Sequence, residues 1–197
     1  MKDILVKELM VPLQEYATVS QNATLYEAVL ALEKAQEEYL KRVGPQVYPH
    51  RAVLALDDKG RVVGKLSQLD IIKALEPKYQ NLIQSDTLAR TAASGFSNDL
   101  LRSMLDHYKL FDKPLHDLCR KAASIKAKNC MYSPSEGELV DVNDNLEVAV
   151  HQFIVGKHQS LLVTNKGTIT GILRLTDVFQ EVCKAIKECD IRPGEGQ

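Results

Sequence analysis

The chain of 197 residues contains one pattern twice, and that duplication restricts its fold more than any other feature. From Met10 it reads MVPLQEYATVSQNATLYEAVLAL, and from Met131 it reads MYSPSEGELVDVNDNLEVAVHQF. Aligned without a gap, Val19 falls on Val140, Asn22 on Asn143, Leu25 on Leu146, and Ala28-Val29 on Ala149-Val150. The second half of the pattern recurs as RAVLALDDKGRVVGKLSQLDIIKAL from Arg51 and QSLLVTNKGTITGILRLTDVFQEV from Gln159. There Gly64 matches Gly171 and Asp70 matches Asp177. This half aligns at a smaller offset, so the first copy is the longer one. Its extra residues lie mainly between Glu33 and His50, a charged stretch ending in Gly44-Pro45, which reads as a solvated helix extension and loop.

Each copy predicts the same elements. Leu25, Ala28, Val29 and Leu32 recur at helical spacing. Thr24-Leu-Tyr-Glu27 fits a capping box, in which hydroxyl and carboxylate satisfy orphan amides, and Asn145 takes the cap position in the second copy. A short apolar strand follows at Val53–Leu56, then the turn Asp57-Asp58-Lys59-Gly60, then a strand at Val62–Leu66 that closes a hairpin. Asn165-Lys166-Gly167 is the matching turn. A last helix starts near Ser67 or Gln68 and is expected to bury Leu69, Ile72 and Leu75. The fold class is therefore α/β (α+β): two β-α-β-β-α units. One unit leaves a sheet face uncovered, whereas two can pack sheet to sheet and share a core with pseudo-twofold symmetry.

The expected organisation is a first repeat at 1–76, a helical linker or insert at 77–122, a second repeat at 123–190 and a frayed tail at 191–197. In the insert, Leu100, Leu101, Met104, Leu105 and Tyr108 form a helical stripe capped by Ser97 or Asn98, which reads as core packed on the pair.

Composition closes off several function classes. With 25 basic and 26 acidic residues and no Trp, there is no basic or stacking surface of the kind nucleic acid requires. No apolar run spans a membrane, and charges interrupt the N-terminal segment as no secretory signal allows. Cys119, Cys130, Cys183 and Cys189 form no Cys-x-x-Cys pair and read as reduced thiols, so the expected location is cytoplasmic. The histidines His50, His107, His116, His151 and His158 show no metal spacing, and no nucleophile or phosphate-loop motif is present. The expectation is no catalytic residue, no metal and no required cofactor.

Met10-Val-Pro12, the Val19…Thr24-Leu25…Ala28 run and Gly64-Lys-Leu-Ser67-Gln-Leu-Asp70, each in a duplicated context, together resemble the CBS-domain family. The last string is similar to that family's Gly-x-x-Thr/Ser-x-x-Asp signature. The resemblance implies a stand-alone Bateman module: a pseudo-twofold disc with two clefts, pairing into homodimers. It also implies a bound adenosyl compound (AMP, ADP, ATP or S-adenosylmethionine) as the small-molecule partner.

The chemistry of the signature can be argued from the residues. Ser67 and Asp70 stand three apart at a helix start. An ionised Asp70 only accepts hydrogen bonds, so it can take two from the vicinal hydroxyls of a ribose, and the Ser67 hydroxyl adds another. If the family's pose holds, Thr18 and Val19 line the base pocket. Phosphate needs cations or free amides, and Arg51 and Lys65 are the candidates. Ser-x-x-Asp is equally a capping box that needs no ligand. Arg51 and Lys65 read equally as surface charges.

The second copy departs from the pattern, with Arg174 where Ser or Thr is expected ahead of Asp177. Two outcomes are open: Arg174 pairs with Asp177 and closes the site, or it reaches the phosphate of a ligand held by the first copy. Two functions follow. The chain is a regulatory sensor that binds an adenosyl ligand and signals to a separate protein by changing its conformation or its dimer. Alternatively it is a ligand-free scaffold that dimerises and docks a partner.

Overall fold

The computed structural model describes residues 3–44, 49–83, 95–112 and 114–188. In chain order the elements are α1 (Val6–Leu9), β1 (Val11–Pro12), β2 (Thr18–Ser20), α2 (Leu25–Val43), β3 (Ala52–Leu56), β4 (Val62–Ser67), α3 (Gln68–Leu75) and α4 (Lys78–Ile83). They continue with α5 (Asn98–Tyr108), α6 (Leu115–Ser124), β5 (Leu139–Asp141), α7 (Leu146–Gly156), β6 (Ser160–Asn165), β7 (Thr168–Arg174) and α8 (Leu175–Glu188). Pro45, Cys189, the tail at 191–197 and parts of the insert lie outside the described residues.

Local chemistry sets these elements. Thr24 caps α2 as its sequence predicts: Oγ1 accepts from the Glu27 amide at 3.2 Å, and the Glu27 carboxylate accepts from the Thr24 amide at 2.6 Å. In the first hairpin turn, Asp57 Oδ1 accepts from the amides of Lys59 and Arg61, both at 2.9 Å.

In each repeat one strand runs parallel to the next across a helix, and a hairpin adds the third: β2 pairs with β3 and β5 with β6, while β3–β4 and β6–β7 are antiparallel. The repeats then exchange their leading segments. Strand β1, ahead of the first repeat, pairs with β7 of the second, Val11 opposite Ile172. Tyr132, ahead of the second, bridges to Lys65 of β4. The Leu25 amide donates to the carbonyl of Ile125 at 2.9 Å, and its equivalent, the Leu146 amide, donates to the carbonyl of Ile4 at 2.8 Å. This reciprocity is the pseudo-twofold axis written in backbone bonds.

Three cores result. Leu25, Ala28, Leu66 and Ala74 pack beneath the helices of the first repeat. Val140, Leu146, Ala149, Phe153, Leu161 and Leu173 do so in the second. Between the sheets, the equivalent residues Leu54 and Leu162 meet with Val11, Tyr16 and Ile172. That shared layer is the sheet-to-sheet packing expected of two half-covered units, and each fully buried Leu contributes about 1.5–3 kcal/mol.

Two expectations about faces are corrected. Helix α3 buries Ala74 and packs Ile71 against the core, whereas Leu69 and Ile72 are 58% and 53% exposed. The Ser67 cap fixes the helix phase, and α3 carries two apolar rows of which only one turns inward. The α5 stripe is also not core. Ser97 caps the helix as expected, but Leu101, Leu105 and Tyr108 are exposed.

Candidate functional site

The signature residues sit where β4 ends and α3 begins. Ser67 is both the last strand residue and the helix cap. Its hydroxyl accepts from the Asp70 amide at 3.2 Å and donates to Asp70 Oδ2 at 2.5 Å, and Oδ2 also accepts from the Ser67 amide at 3.0 Å. The capping box is therefore formed. It engages one carboxylate oxygen, and Oδ1 of Asp70 accepts no hydrogen bond from the described residues.

The second copy is built differently. Arg174 donates through Nε to Asp177 Oδ2 and through Nη2 to Oδ1, both at 2.6 Å, so both carboxylate oxygens are taken. Arg174 thus pairs with Asp177, one of the two contacts open to it. Arg174 is buried, and the hydroxyl of Tyr39 accepts from Nη2 at 2.9 Å. Burial works against its charge, but Asp177 and Tyr39 outweigh that and move its pKa upward. His50 Nδ1 lies 3.4 Å from Nη1. The His50 ring is 1% exposed and packs against Tyr16 and Tyr39 at 4.5 and 4.6 Å. Burial, aided by Arg174 and Arg42, pushes it down to about 4.

A cavity of about 270 Å³ lies between the repeats, lined by equivalent pairs: Arg51 and Gln159, Ala52 and Ser160, Ser67 and Arg174. Tyr16, Pro49, Lys65, Gln68, Leu69 and Thr176 complete its wall. Of the residues singled out in the sequence, Arg51, Lys65, Ser67 and Arg174 come together here. Arg51 stands exposed at the rim with no ion-pair partner among the described residues. Lys65 is already engaged, 3.7 Å from Glu138 Oε2 and 3.4 Å from Ser160 Oγ. Asp70 and Asp177 are not among the residues that line this cavity, and Asp177 lines a separate groove of about 530 Å³ with Val11, Tyr39 and Arg42. Thr18 and Val19 do not line the cavity, and Val19 packs into the Leu25–Leu66 core.

Sequence reading missed Glu138. It is buried, accepts from the Tyr132 hydroxyl at 2.6 Å, and faces His158 Nδ1 at 3.2 Å. It sits opposite Ala17 in the alignment of the copies, so the repeat gave no signal for it. His50 was equally silent, an isolated histidine outside any motif.

Against known proteins, residues 6–77 match the family model described as CBS domain. Residues 6–77 are thus similar to a CBS domain, and the chain as a whole has the fold of CBS-pair proteins. A CBS domain-containing protein of unknown function from Bacillus anthracis is 17% identical over 93% of this chain and 95% of that one, with a TM-score of 0.58. The CBS-pair protein CBSX2 from Arabidopsis thaliana is 17% identical over 93% and 97%, with a TM-score of 0.57. A structure of CBSX2 in complex with AMP is 18% identical over 93% and 98%, with a TM-score of 0.53. No curated protein sequence matches the chain. No described helix of the chain is long and apolar enough to cross a membrane.

Proposed function

We propose that this CBS pair is a regulatory, non-catalytic module that binds one adenosyl ligand per chain, on the Ser67–Asp70 side, and passes the resulting change in repeat geometry to a separate protein. The observation that carries this reading is the asymmetry of the two carboxylates. Asp70 keeps Oδ1 for a sugar hydroxyl beside the Ser67 hydroxyl, whereas Asp177 has both oxygens held by Arg174. Arg51 at the cavity rim is the cation for a phosphate, ahead of Lys65, which would have to leave Glu138. The AMP held by CBSX2, a protein of the same fold, agrees with this ligand class. The shift between conformations cannot exceed the ligand's differential affinity for them.

Thermal unfolding of the chain with AMP, ADP, ATP and S-adenosylmethionine tests the reading. A ligand at a hundred times its Kd adds about 2.7 kcal/mol of stability, and Asp70→Asn removes that gain. If none of the four compounds raises the unfolding temperature, the sensor reading fails. The second reading, a ligand-free scaffold that dimerises and docks a partner, then takes its place. One observation favours that alternative: the hydrogen bonds of Asp70 Oδ2 and the Ser67 hydroxyl are spent on the cap of α3.

A further inference from the structure

Helix α2 has 19 residues, while its equivalent α7 has 11 and stops at a left-handed Lys157. The added turns are more than a solvated extension. Gln36 Oε1 accepts from the His50 amide at 2.7 Å and ties the helix to the entrance of β3. Tyr39 lays its ring over the Arg174 guanidinium, 5.0 Å from centroid to Cζ, and its hydroxyl accepts from Nη2. Arg42 forms an ion pair with Glu15, in the segment just after β1.

We propose that the lengthened α2 is a clamp reaching from the first repeat onto the second, fastened on Arg174. The inference does not rest on the adenosyl reading, because both ends of the clamp are side chains of this chain. Ser67, the equivalent of Arg174, caps its helix through a hydroxyl. An arginine has no acceptor and cannot cap, so Arg174 turns to the Asp177 carboxylate as a bidentate donor. A guanidinium this deeply buried needs further acceptors and an aromatic face, since an unpaired buried cation is strongly unfavourable. Among the described residues, Tyr39 and His50 of the first repeat supply them, and Tyr39 reaches because α2 runs past the point where α7 ends. The contact therefore spans the two repeats. Any separation of the two repeats on this side must break the Tyr39–Arg174 contact or withdraw the α2 extension.

Hydrogen exchange on the full chain tests this. Arg174→Ser installs the cap that the first repeat already uses at this position, so the fold has a working precedent. It is expected to speed exchange at 36–42, in the other repeat, about tenfold or more, with 25–32 unchanged. Tyr39→Phe keeps the ring and removes only the hydroxyl, and is expected to speed exchange at 174–178. If each variant alters exchange only around its own substitution, the clamp is overturned.

Discussion

A β-carbon placed on Gly171 would stand 2.6 Å from the carbonyl oxygen of Val11, where β1 crosses onto the second repeat's sheet. The equivalent glycine, Gly64, meets only a side chain, with Met131 Sδ at 2.4 Å from such an atom. Backbone held in a strand cannot move aside, whereas methionine has three rotatable bonds. Gly171→Ala is expected to lose about 1–3 kcal/mol, and Gly64→Ala clearly less. Urea unfolding of both variants gives the comparison, and equal losses would show that the exchanged segments do not hold the repeats as described.

Much of this architecture could be read before the fold was known. The duplication gave two units, the Thr24 and Ser67 boxes gave helix starts, and the Asp and Asn turns gave the hairpins. The shared core also followed, because a single unit leaves one sheet face uncovered. The exchange of leading segments could not be read. Val11 and Tyr132 each bond to the opposite copy, and local pattern says nothing about which sheet accepts a strand. Burial on α3 could not be read because Leu69 and Ile72 have the same spacing as Ile71 and Ala74, shifted by two positions, and only the tertiary neighbours choose between them. Site residues fared unevenly. Arg174 was recognised as a departure from the motif, but its partners Tyr39 and His50 lie in the one stretch the copies do not share.

His50 makes stability depend on pH. In the folded chain its pKa is about 4, against 6.5 when unperturbed. Above pH 6.5 both states are neutral and the residue contributes nothing. As pH falls from 6.5 towards 4, the unfolded chain takes up a proton that the folded chain refuses, so stability drops, by up to about 3 kcal/mol. The groups facing the ring are Arg174, Arg42, Tyr16 and Tyr39. Unfolding free energies of wild type and His50→Phe, measured from pH 7 to pH 4, isolate the effect. The wild type is expected to lose more over that range, and parallel curves would contradict a neutral buried imidazole.

Lys65 and Glu138 join the repeats through side chains that are 14% and 7% exposed. Removing one member leaves the other buried and uncompensated, at a loss of about 3–5 kcal/mol. Lys65→Met and Glu138→Leu should each fall in that range, and the double variant should lose much less than their sum. A double-mutant cycle in urea measures the coupling. Simple additivity would mean that Tyr132 and His158, not Lys65, are what Glu138 depends on.

Ser67 and Asp70 serve the helix cap and, in the proposed function, the ligand, and two substitutions separate these duties. Ser67→Ala removes the oxygen that accepts from the Asp70 amide, so α3 loses its cap and the chain about 1 kcal/mol. Asp70→Asn retains an oxygen that can accept from the Ser67 amide, so the cap largely survives. What it loses is the charge and one acceptor that would face a ribose, because an amide gives up one oxygen for a donor nitrogen. Without ligand, Asp70→Asn should therefore unfold close to wild type while Ser67→Ala unfolds earlier. With AMP, the order of the ligand-induced gains should put Asp70→Asn last. Equal gains in wild type and Asp70→Asn would place the nucleotide away from this carboxylate and leave the Ser67–Asp70 box as a helix cap alone.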